Sequence, residues 1–122
     1  MNLLSYDAVM KGFNLGLNMF CVTANRHSNR AIFDNAADLW YIKGFSEIKR
    51  HPYQIDYGPL GDRVCLRFDH LNNMGAGSWR GFRGVFLFHP ELEDFKLLSP
   101  REREVLIEID HANTRYQDQW HH

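Results

Sequence analysis

Apolar residues recur along this chain with two different periods, and the switch between them outlines the fold. Tyr6, Val9, Met10 and Phe13 fall at helical spacing behind Ser5, a residue suited to cap a helix N-terminus. The same stripe runs on through Leu17, Phe20, Cys21 and Ala24, which favours one long helix. Gly12, Asn14, Gly16 and Asn18 interrupt that stripe with poor helix formers. The rival reading therefore ends the helix near Asn14 and starts a strand over 17–23.

Further along, the period shortens to two. Tyr53, Ile55 and Tyr57 alternate with Gln54 and Asp56. Val64, Leu66, Phe68 and His70 alternate with Arg63, Cys65, Arg67 and Asp69. Between the two runs lies the turn sequence Gly58-Pro59-Leu60-Gly61-Asp62, so they predict an antiparallel hairpin. Val85-Phe86-Leu87-Phe88 is apolar on both faces, which predicts a central strand covered on both sides. Phe45 to Lys49 supplies a further strand. Asp34 or Asn35 can cap a short helix, with Gly44 at its C-terminal end.

The clearest signal closes the chain. Ser99 suits an N-cap, Pro100 the first helical position, and Glu102 the acidic place of a capping box. Val105, Leu106, Ile109, Ala112 and Tyr116 then share one side of the helix, and Glu104, Glu108, His111 and Arg115 the other. Together these elements predict a single α+β domain over 1–122. A small, mostly antiparallel sheet, with strands near 45–49, 53–57, 63–70 and 83–88, is packed by an N-terminal helical segment, a short helix near 35–43 and a C-terminal helix near 100–117.

Charge narrows the function classes. Lys plus Arg number 14 and Asp plus Glu 15, so the chain lacks the basic excess of a dedicated nonspecific nucleic-acid binder. Cys21 and Cys65 stand far apart without any CxxC spacing, and read as reduced core thiols. No window has the length of apolar sequence that spans a bilayer, and the first residues lack the basic and apolar regions of a signal peptide, so a cytoplasmic location is expected. His121-His122 carry no functional weight here.

Chemistry-bearing residues are few and scattered. Asp69, His89 and Glu91 fall at strand ends, where carboxylates and an imidazole could hold a divalent ion that activates water, and they carry a metal-dependent hydrolase or nuclease as the second reading. Asp69-His70, a Gly-containing loop, Arg83-Gly84 and an apolar strand resemble the His-containing hairpin of HNH-type endonucleases, without that family's structural cysteines. Glu47-Ile48-Lys49 has an acid–x–Lys spacing found in another nuclease class. No GxSxG elbow and no P-loop occurs, so no catalytic residue, metal or cofactor is assigned, and the balance leans away from an enzyme.

The remaining signal is an aromatic surplus beside arginines. Trp79, Arg80, Phe82 and Arg83 have the composition of interface anchors. Arg80-Gly81-Phe82 followed by Val85 also resembles the aromatic strand of RNA-recognition motifs, which makes an RNA or single-strand binder on 80–88 the third reading. Leu98 to Leu106 resembles the first helix of LuxR-type helix-turn-helix domains, but no recognition helix follows. The first reading is a small non-enzymatic binding module, an adaptor or inhibitor, that docks on a larger protein or nucleoprotein and leaves room for a homodimer. On that reading Trp79 and Arg83 are contact residues, whose truncation leaves thermal stability nearly unchanged.

Overall fold

A computed structural model describes residues 2–24, 46–51, 54–58, 64–74 and 79–112. Helix α1 (Tyr6–Asn14) is followed by β1 (Met19–Thr23), β2 (Ser46–His51), β3 (Gln54–Gly58) and β4 (Val64–His70). The short α2 (Leu71–Met74), β5 (Val85–Phe88), two 3-10 turns (Pro90–Glu93 and Phe95–Leu97) and α3 (Pro100–Ala112) complete the order. The predicted helix near 35–43 and the end of the closing helix, 113–117, lie outside the described residues.

The long N-terminal helix is corrected to a short helix and a strand, and Gly16 is the reason. Ser5 caps α1, its hydroxyl accepting from the Ala8 amide at 3.1 Å. At the other end Gly16 adopts φ 67°, a left-handed conformation that Gly takes without a Cβ penalty. Its amide donates to Phe13 O and that of Leu17 to Gly12 O, the paired closing bonds of a Schellman cap. The helix therefore stops, and the apolar run that follows is free to become β1. Asn18, one residue before that strand, ties it to both neighbours. Its carbonyl accepts from the Val85 amide at 2.9 Å and its side-chain oxygen from the Cys65 amide at 3.0 Å.

The strand order is β2-β3-β4-β1-β5. The β3–β4 hairpin forms in the predicted alternation, with Ile55 opposite Leu66 and Tyr57 opposite Val64. Strand β2 joins it antiparallel, with a bulge between Glu47 and Lys49. The sheet is mixed rather than mostly antiparallel, because β1 runs parallel to both β4 and β5. Strand β1 also takes the covered inner position expected for β5. All five of its residues are buried, as a parallel strand between two helical layers requires. Strand β5 is still buried on both faces. Part of its outer edge is met by the N-terminal residues, where Leu4 N donates to Phe88 O and Phe88 N to Asn2 O.

Two apolar layers enclose the sheet. On the first face Leu4, Val9 and Phe13 pack on Met19, Cys21, Ile55, Tyr57, Leu66, Phe68, Val85 and Leu87. On the second, Leu106 and Ile109 of α3, with Leu71, Met74, Leu92 and Leu98, cover Phe20, Val22, Phe86 and Phe88. The capping box of α3 forms as the sequence predicts. The Ser99 amide donates to Glu102 Oε1 at 3.0 Å, and the Glu102 amide to Ser99 Oγ at 3.2 Å. The fold is thus α+β, with helices at either end of the chain on opposite faces of a mixed sheet.

Candidate functional site

The second face does not end at its core. Phe20 and Phe86 stack at 5.5 Å, Phe82 meets Phe20 edge-on at 5.2 Å, and Trp79 meets Phe86 edge-on at 6.2 Å. Such offset and edge contacts are the favoured aromatic geometries. This ladder climbs from the buried sheet to the surface at the turn 79–82. There the Phe82 amide donates to Trp79 O at 3.2 Å, and Gly81 holds φ 86° at the third position. That is the pattern of a type II turn, which needs Gly at that place.

Between this turn and the C-terminal half of α3 lies a groove of about 770 Å³. Its size falls in the range of small-ligand and side-chain pockets. All four residues singled out from sequence, Trp79, Arg80, Phe82 and Arg83, line it. The opposite wall carries Ile107, Glu108, His111 and Ala112, with Phe86 between. Ile107 is half exposed although it lies on the polar side of its helix. An isoleucine among Glu104, Glu108 and His111 was the one sequence signal for this wall, and pattern reading alone passes over it.

The electrostatics of the groove are uneven. The Arg80 guanidinium lies over the Trp79 ring at 5.7 Å and 3.6 Å from Glu108. Both partners of that ion pair are largely exposed, so it contributes little and is easily exchanged. Arg83 is exposed and makes no ion pair among the described residues. The groove therefore has an aromatic floor, a wall in which Ile107 and Ala112 alternate with Glu108 and His111, and one unneutralised guanidinium at its rim.

Trp79 is not a bare surface contact. It is half-buried and packs on the second core through Phe86. Truncating it removes that packing, so the expectation that the change leaves stability untouched is replaced on that ground, whereas Arg83 is exposed.

The other candidates are not brought together. The Asp69 carboxylate is engaged locally, accepting from the His70 amide at 2.8 Å and from Asn73 Nδ2 at 3.1 Å. His89 Nδ1 accepts from the Glu91 amide at 3.2 Å and stands 3.8 Å from its carboxylate, an arrangement that caps the 3-10 turn. Among the described residues no three His, Cys, Asp or Glu side chains are grouped to hold a metal ion. The hairpin shared with HNH-type endonucleases is absent, because β1 separates β4 from β5. Phe86 and Phe88 are buried, so strand β5 offers no open ring on which a base could stack. The thiols are free; burial pushes Cys21 far up, and burial followed by the Asp56 carboxylate pushes Cys65 up to about 11, so neither site favours a thiolate. No described helix is long and apolar enough to cross a membrane.

Compared with known protein families, curated proteins and solved structures, the chain matches none.

Proposed function

We propose that this chain is a small non-enzymatic binding module, an adaptor or inhibitor, which docks on a protein partner through the groove between the 79–83 turn and α3. The observation that carries the reading is the union of Trp79, Arg80, Phe82 and Arg83 with Ile107 in one concave surface. Rigid aromatic anchors and arginine in a concave setting are the composition of binding hot spots.

The groove's chemistry selects its occupant. Its floor and wall suit a bulky apolar side chain, and Arg83 at the rim suits a carboxylate beside it, held by two parallel hydrogen bonds. A polyanionic nucleic-acid backbone fits less well. It would pass Glu108 on the wall and Glu104 and Asp110 along the same helix, with two arginines to hold it. The partner surface is therefore an apolar residue flanked by acids.

The test places a photo-reactive benzoylphenylalanine at Ile107 and, as a remote control, at the similarly exposed Leu15. A protein captured from the native cell at the first position and not the second is then purified and titrated by calorimetry. Ile107→Glu is expected to weaken its affinity by about thirtyfold, roughly 2 kcal/mol. Equal affinity of the variant and the parent chain removes the groove as the docking surface.

A further inference from the structure

We infer that a second copy of this chain closes the groove in the free protein, so that self-association regulates access to it; this rests on the docking reading of the same groove. The occupant called for is an apolar side chain flanked by acids, and the chain carries one. Leu97 is 78 % exposed, the most exposed large apolar side chain among the described residues, and Phe95 beside it is 40 % exposed. Glu91, Glu93 and Asp94 precede them, with Lys96 the single cation of the segment. Three acids against one lysine leave it acidic. In the groove, Arg80 and Arg83 against Glu108 leave the opposite sign.

Neither Phe95 nor Leu97 lines the groove of its own molecule. The Phe95–Leu97 turn is fixed beside the start of α3, where Arg103 Nε donates to Phe95 O at 2.8 Å. The groove is lined by the C-terminal half of that 13-residue helix, Ile107 to Ala112, which starts about 10 Å along the axis from Pro100 at 1.5 Å per residue. Two copies of α3 packed antiparallel about a two-fold axis near the helix centre remove that separation. Each acidic, apolar turn then lies over the other copy's groove, and both contacts form at once in a closed, self-complementary dimer. Arg101, Glu104, Glu108 and His111 share the exposed stripe of α3 by their spacing, and the antiparallel register that sets Arg101 of one copy opposite Glu108 of the other also brings the two Glu104 carboxylates together at the axis.

Sedimentation equilibrium over a concentration series tests the inference. The wild-type chain is expected to rise reversibly towards twice the mass of a single chain, and less steeply in high salt. Leu97→Asp and Arg83→Glu should each lower the association constant by at least about tenfold, and Glu93→Lys added to Arg83→Glu should recover most of that loss. A wild-type chain that stays single throughout, variants that associate as tightly as the parent, or a charge swap that recovers nothing would each overturn it. A single-chain wild type whose captured partner still loses affinity on Ile107→Glu overturns self-closure alone. Loss of that Ile107 effect overturns the docking reading itself.

Discussion

The two faces of the sheet are closed in different ways. On the first, α1 lays Val9 and Phe13 on a mainly aliphatic layer, and Phe13 meets Tyr57 edge-on at 4.9 Å. Val9 and Phe13 are fully buried there. On the second, the ring ladder from Phe20 through Phe86 and Phe82 to Trp79 continues past the edge of α3 and comes out as the floor of a groove. One face uses its apolar side chains to hold the fold. The other holds the fold with one end of its ladder and offers the opposite end to a partner, so stability and recognition share residues there.

Breaking the sealed face should cost most. Phe13→Ala empties a fully buried position and is expected to lower unfolding free energy by about 3–5 kcal/mol in a urea titration. A loss below about 1 kcal/mol would mean that α1 does not close that face.

The sealed face also predicts a pH dependence. Burial raises the Cys21 thiol above its unfolded value. Its contribution is fully present below that unfolded value, near 9, and is lost as pH rises, because the unfolded chain releases the proton first. The slope should be about 1.4 kcal/mol per pH unit for this one thiol. Cys21→Ala should flatten the fall between pH 9 and 11; an unchanged slope would place the titration elsewhere.

The open face should separate its two kinds of residue. Trp79→Ala is expected to cost about 1–2 kcal/mol, since a half-buried ring loses both area and an edge contact. Arg83→Glu should change stability by less than about 0.5 kcal/mol, as exposed substitutions away from caps and cores do. If thermal scans rank the two the other way, the division between the inner and outer ends of the ladder fails.

What could be read in the sequence follows the range of the interactions. The capping box at Ser99 and Glu102 and the alternation of Ile55, Tyr57, Val64 and Leu66 are local, and both appear in the structure as expected. Residues 19–22 defeated the same reasoning. An unbroken run of Met, Phe, Cys and Val satisfies a helical stripe and a doubly buried strand equally, and Gly16 decided between them only through its conformation as a cap. The parallel partners of β1 were out of reach for a different reason, since Met19 pairs with Leu66 and Val85. The groove divides along the same line. Its turn was visible as composition around Trp79, but its far wall comes from a helix some thirty residues on, brought there by packing alone.

The place of β1 carries a consequence for how the chain comes to be folded. A strand that precedes both of its neighbours in the chain is completed on both sides by strands made much later, β4 and then β5. Until the second of them emerges, the run Met19–Val22 has no full set of backbone partners, and its contacts are of long sequence separation. Acquisition of the native state should therefore be slow, with β1 the segment most exposed to mispairing on the way.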